Sequence, residues 1–274
     1  KYSRQPKIYM SLPSQGQFYQ KNPVEKSGTG ELPIYSMTAK DELIFRTPDA
    51  LMNGEAVVSV LKSCCPLIED PWDIPSIDID ALLVAIRIAT TGENLKMDVK
   101  VPNTEETLEF EVSLPTVLDN IKSKTWESKV TIGDLTFHVM PLKLKSQNLF
   151  DIESFETARF IKILSDKNLE TEKRKEIIQD IVNKASINNV EVVARQVIKI
   201  ETPEGEEINP QTINQFISNS DNGVYNQLRD FLIKNRSQFD IPPQQVSVPE
   251  HLVEQGAPKF IEVPVFLNNV NFFV

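Results

Sequence analysis

Cys64 and Cys65 stand side by side in VLKSCCPLIEDPWDIPSIDIDALLVAIRIATTG, residues 60–92, and they are the chain's two cysteines. A thiolate is a nucleophile and a soft metal ligand, so the pair invites a reading as a reactive site or half of a metal site. The surroundings favour neither. A reactive thiol needs a neighbouring base or cation, whereas the residues that follow include Glu69, Asp70 and Asp73, which raise a thiol pKa. Adjacent cysteines rarely have the geometry to bridge each other. The pair is expected to be packing residues at a helix end, because a free cysteine behaves as a small buried hydrophobe.

The other candidate groups give no catalytic constellation. The two histidines, His138 in a strand and His251 in a proline-rich loop, are far apart in sequence and each is expected to be structural or solvated. Asp78 and Asp80 sit in the first turn of a helix, where the helix dipole stabilises negative charge. Glu105 and Glu106 occupy a hairpin loop and read as solvated charge. The chain contains no G-x-x-x-x-G-K-[ST], no G-x-G-x-x-G after a strand, no H-E-x-x-H and no G-x-S-x-G. A non-enzymatic protein is expected, with no cofactor. The competing reading is a hydrolase built from scattered carboxylates, which needs polar residues converging in one pocket.

The elements around these groups follow from periodicity. Residues 1–35, rich in Pro, Gly, Ser and Gln with Ile8, Tyr9, Phe18, Tyr19 and Tyr35 interspersed, form an extended arm that lies on its own domain or reaches to a partner. Residues 36–145 are a helical core with hairpins. Thr38 is a plausible N-cap for a helix through AKDELIFRT that stops at Pro48; a second helix runs from Asp49 to about Ser63, and a third from Ser76 to Gly92. Arg87 is the one charge between Ala81 and Ala89, so the third helix should be the buried centre. Beyond Gly92 the period becomes two: LKMDVKV with TLEFEVSL, then SKVTI with TFHVMPL, read as hairpins. Residues 146–240 are a helical region, with helices from Phe150 to about Leu164 and from Thr171 to about Ala185, a short hairpin turning at Pro203, Glu204 and Gly205, and two more helices. Residues 241–274 are returning strands and an apolar tail. The fold class is therefore α+β: a helical N-terminal core packed on antiparallel hairpins, a helical second half, and C-terminal strands returning to the sheet.

An internal echo links the two ends. VKVPN at 99–103 is answered by VSVPE at 246–250, and FEV at 110–112 by FIEV at 260–263. If the echo is a repeat, the two hairpins pack together. They have the shape of zinc knuckles but carry no Cys or His pair to bind metal, so no metal site is expected.

Whole-chain numbers bound the partners. The chain has 274 residues, 40% of them hydrophobic, enough for one large domain or two modest ones. Two cysteines make no secreted disulfide framework and suit a reducing compartment. A formal charge of -10 argues against nucleic acid, which needs clustered Lys and Arg, and points to protein partners. No uncharged apolar run reaches about 18 residues, and KYSRQPKIYM has no signal-peptide pattern, so no membrane association is expected.

Specific stretches carry a resemblance. The order SLPSQGQFY, MTAKDEL, TPDALMNG, SCCP and IDIDALLVAIRIAT resembles the T-even-type phage baseplate hub assembly family, also described as baseplate hub assembly chaperones. The likeness covers about the first 115 residues closely and the rest loosely. It implies a protein of contractile phage tails that binds baseplate hub and tail proteins, with self-association left open. The implied location is the host cytoplasm during assembly, with the virion baseplate as the alternative for a retained structural adaptor. Some members place C-x-x-C pairs in the two hairpins. Pro102 and Pro249 stand where such knuckles would begin here, so a zinc role is not carried over. For a protein that works through its surfaces, as the resemblance implies, the candidate docking residues are Phe18 and Tyr19 in the arm, Lys40, Asp41 and Glu42 at the start of the first helix, Asn53 and Gly54 at the second, and the terminal Phe272 and Phe273. Each also has an internal reading: the aromatics as cover for their own core, Lys40 to Glu42 as helix-start electrostatics and Gly54 as a close helix contact.

Overall fold

The computed structural model describes residues 4–45, 54–164 and 171–265. It has the expected α+β architecture of helices and small antiparallel sheets, and it divides into two compact units.

The first unit comprises residues 1–71, 77–125 and 238–274. Its arm contributes β1 (Ile8–Met10) and β2 (Leu32–Ile34), paired antiparallel with Ile8 opposite Ile34. Helices α1 (Ala39–Phe45) and α2 (Glu55–Cys64) follow. The sequence start of the second helix at Asp49, and the stop of the first at Pro48, fall outside the described residues. Helix α3 (Ser76–Thr91) is the buried centre: Ala81, Leu82, Leu83, Val84, Ala85 and Ile86 are all fully enclosed, as its all-round apolar pattern requires. Next come β3 (Asn94–Lys100) and β4 (Thr107–Ser113), in register with Leu95 opposite Val112 and Met97 opposite Phe110, and then α4 (Leu114–Lys122).

The second unit comprises residues 72–76 and 126–237. Its sheet runs β5 (Lys129–Ile132), β6 (Leu135–Val139), β7 (Val197–Thr202), β8 (Gly205–Glu207), every neighbour antiparallel. The second hairpin of the sequence reading thus pairs with a strand about 60 residues later, Phe137 opposite Ile200, and this is why the division falls at Trp126 rather than at residue 146. Helix α5 (Leu144–Leu164) starts before Phe150, because its first residues continue a stretch that pairs with 74–76: Ser76 N–H donates to the Leu142 carbonyl at 2.7 Å and Leu144 N–H to the Ile74 carbonyl at 2.8 Å. Helix α6 (Thr171–Ala194) outruns its expected end near Ala185. The added turns contain Asn and β-branched residues, weak helix formers, but Val193 and Ala194 are buried, so packing overrides propensity. Helix α7 (Pro210–Asn219) has Pro210 in its first turn and Asn209 as cap, the side chain accepting from Gln211 N–H at 2.9 Å and Thr212 N–H at 3.2 Å. It lays Phe216 against Phe137 of the sheet, ring centroids 6.4 Å apart. Helix α8 (Asn222–Ser237) ends the unit, and Asn235 exchanges two hydrogen bonds with the backbone of Glu127, at 3.1 and 2.8 Å.

The chain then returns to the first unit. Strands β9 (Gln244–Ser247) and β10 (Phe260–Val263), with the short helix α9 (Glu250–Val253) between them, form a hairpin of their own. They meet the first half by side-chain packing: Val101 at the tip of the β3–β4 hairpin shares a small core with Val248, Leu252 and Ala257. The V-x-V-P echo is therefore visible in space. In each hairpin the valine before proline closes the ladder, Val101 N–H to the Glu106 carbonyl at 2.9 Å and Val248 N–H to the Lys259 carbonyl at 3.0 Å.

Candidate functional site

The polar chemistry of the first unit converges on the arm. Asp78, in the first turn of α3, is fully buried, and its carboxylate accepts the Ser14 backbone N–H at 2.8 Å, the Ser14 hydroxyl at 2.5 Å and the Tyr19 hydroxyl at 2.9 Å. Isoleucines flank it in the sequence, so the carboxylate needs a polar partner on the buried face, and the arm supplies it. The turn SLPSQGQFY is wound tightly to reach it: Gln15, Gly16 and Phe18 have φ of 55, 80 and 69°. Asn22 braces this turn, its side-chain oxygen accepting the Val24 N–H at 2.9 Å.

Two further ties fix the arm's ends. Lys21 and Lys26 both pair with Glu69, Lys21 at 2.6 Å, and together they hold the Glu69 carboxyl down at about 2. Arg4 donates to the Ser36 carbonyl, to the Ser63 hydroxyl at 3.1 Å and to the Ser63 carbonyl at 3.3 Å, and lies 5.6 Å from the centroid of Tyr35. The arm thus lies against the rest of the first unit.

Asp41, one of the candidate docking residues, is internal. Its side chain is 4% exposed and accepts from Thr38 N–H, Thr38 Oγ1 and Ser63 Oγ, each at 2.8 Å, while the Asp41 N–H donates to Thr38 Oγ1 at 3.3 Å. This is a capping box with Asp in place of Glu, and it pins α1 to the end of α2. Tyr19 is likewise turned inward to Asp78. Phe18 is half-buried, Glu42 is half-buried, and Lys40 is exposed. Gly54 is buried and caps α2 at φ 74°, a backbone position that favours glycine. Asn53, Phe272 and Phe273 lie outside the described residues.

The cysteines are core. Cys64 and Cys65 are 0% and 1% exposed, and both are free thiols. Burial pushes the Cys64 thiol up to about 11, with the Arg4 guanidinium 3.9 Å from its sulfur opposing that rise, and burial raises Cys65 as well. Neither holds a thiolate at neutral pH. Replacing both with Ala should cost about 1–3 kcal/mol of stability, as for small buried deletions, and leave the fold intact. Urea unfolding and circular dichroism measure the two halves of that expectation; a double variant of unchanged stability, or one that fails to fold, overturns it.

Elsewhere several ionisable groups are engaged in surface pairs. His138 Nε2 lies 2.6 Å from Glu201, and Lys199 and His138 together hold the Glu201 carboxyl at about 2. Glu105 pairs loosely with Lys100 at 3.8 Å in the β3–β4 loop. Among the described residues, no group of three or more His, Cys, Asp or Glu could hold a metal ion. Purified protein is therefore expected to carry no stoichiometric zinc, with a melting temperature indifferent to chelators; elemental analysis near one zinc per chain would refute this. No helix of the described residues is long and apolar enough to cross a membrane.

What the sequence reading missed is Asp78 as the arm's anchor. The signal was present: an Asp between two isoleucines on a helix apolar on nearly every face has to point its charge into a covered site.

The geometry thus defines an α+β protein whose buried polar groups tie an N-terminal arm to its own core. Comparison with known families supplies the biological class, a bacteriophage baseplate protein. The chain belongs to the family described as T4 bacteriophage base plate protein, whose model matches residues 6–243, the arm and the whole second unit included. No curated protein and no solved structure matches the chain.

Proposed function

We propose that this protein is a non-enzymatic, protein-binding factor in assembly of the contractile tail's baseplate hub, working in the host cytoplasm. The observation that carries the reading is the family match, which spans residues 6–243 and so takes in the anchored arm as well as the helical second unit. The resemblance of the arm and first-helix motifs to the hub assembly family supports placing that role at the hub. The internal employment of the carboxylates supports a binding role over a hydrolase: Asp78 and Asp41 are both consumed in holding the fold.

With Asp41 and Tyr19 turned inward, docking to hub proteins is assigned to the outer side of α1. Lys40 is exposed there, and Leu43, one turn on, is a large apolar side chain left 67% exposed while Asp41 and Phe45 are buried. A helix held from behind that presents one leucine and one lysine outward offers a protein partner an apolar anchor beside a charge.

The test is a count of copies per particle in purified virions against assembly intermediates from infected cells. An assembly factor is present in the intermediates and absent from virions; a stoichiometric presence in virions makes it a retained structural adaptor instead.

A further inference from the structure

We propose that residues 244–263 are a strap that opens from the β3–β4 hairpin as one cooperative unit, ahead of the rest of the first unit. Four observations carry this. First, the strap makes its own two-stranded sheet, and among the described residues no strand pairing joins it to β3 or β4. Second, its contact is a satellite core of Val101, Val248, Leu252 and Ala257, with Leu108, Val253 and Ile261 packed around it, separate from the enclosed residues of α3. Third, the polar tie across the contact is an exposed one, Asn103 Nδ2 to the Gly256 carbonyl at 3.1 Å. Fourth, a hinge precedes it: Phe239 is fully buried and Gln238 donates to the Thr125 carbonyl at 3.1 Å, then Asp240, Pro242 and Pro243 are exposed. Two consecutive prolines hold the linker extended, and a two-stranded hairpin is marginal on its own, so once it leaves its satellite core the strap loses its ladder as one unit. The family match ends at this hinge, at residue 243.

A small cluster reached by few backbone hydrogen bonds opens at a lower free energy than a central helix. Opening uncovers Val101 and Leu108, the apolar tip of the β3–β4 hairpin. Val101 and Val248, which close the ladders of the two hairpins, share this core in the closed state, so each hairpin covers the other.

Native-state hydrogen exchange on the full chain tests the strap. The Val248 and Ala257 amides, bonded to the Lys259 and Leu252 carbonyls, should exchange together and about 100-fold or more faster than the amides of Val84 to Ile86 in α3. Asn103→Ala should speed strap exchange by roughly 2- to 10-fold, the worth of one net hydrogen bond, and leave α3 unchanged. Leu252→Asp should abolish strap protection while α3 stays protected. One shared exchange rate for strap and α3, or equal loss of protection in both on either substitution, overturns the proposal.

Discussion

Asp78→Ala is expected to destabilise the protein by about 3–5 kcal/mol and to free the arm, because it strands three donors in a buried site at once. The Ser14 N–H, Ser14 hydroxyl and Tyr19 hydroxyl all end on this one carboxylate. A net hydrogen bond to a charged acceptor contributes about 1.5–3 kcal/mol, and the loss is partly offset where a released hydroxyl finds water. Asp78→Asn separates charge from shape. The carboxamide keeps one acceptor for the Ser14 N–H, and the two hydroxyls can rotate to accept from its NH2, so a smaller loss of about 1–2 kcal/mol is expected. Urea unfolding reads the stability. Tryptic cleavage at Lys21 and Lys26, both in the arm, reads its release: cleavage should accelerate far more in the Ala variant than in the Asn variant. A stability change below about 0.5 kcal/mol with unchanged cleavage would mean the arm is held by its other ties, Arg4, Glu69 and its buried apolar residues.

This dependence on one residue shows which part of the molecule could be read from sequence. Local patterns were legible. The uninterrupted apolar stretch of α3, the alternation in β3 and β4, and the Asn-Pro start of α7 each carry their own physical signal within a few residues. Thr38 as a cap was also legible, but its partner Asp41 looked like surface charge, because a capping box and an exposed helix start have the same composition. Only the Ser63 hydroxyl, 22 residues away, makes Asp41 internal. The same limit explains the arm. Ser14 and Tyr19 lie 64 and 59 residues from Asp78, and no local pattern states that they meet. It also explains the placement of β5 and β6: a hairpin signals its own turn but not the third strand, β7, that completes the sheet. The V-x-V-P echo is the exception, a long-range relation written as similarity, and Val101 and Val248 do share one core.

The geometry of the arm turn predicts a second large effect, at Gly16. A Cβ built there would lie 2.0 Å from Asn22 Oδ1, 2.8 Å from Asn22 Cγ and 2.9 Å from Val24 Cγ2. Asn22 cannot simply swing aside, since that same oxygen accepts the Val24 N–H at 2.9 Å. Nor can the turn back away, since the Gly16 N–H donates to Ser14 Oγ at 3.2 Å, and Ser14 Oγ is committed to Asp78 at 2.5 Å. The substitution also forces a side chain onto a φ of 80°, worth about 1–2 kcal/mol by itself. With the overlap added, Gly16→Ala should cost about 2–4 kcal/mol and loosen the arm in the manner of Asp78→Ala. Gly28 supplies the control, because it has a similar φ of 67° and nothing within 4 Å of its would-be Cβ. Gly28→Ala should therefore cost only the conformational part, about 1–2 kcal/mol, with the arm's resistance to trypsin retained. Combining Gly16→Ala with Asp78→Ala adds the decisive measurement. If both act by releasing one turn, the double variant loses little more stability than Asp78→Ala alone; full additivity would mean that Gly16 and Asp78 hold separate parts of the arm.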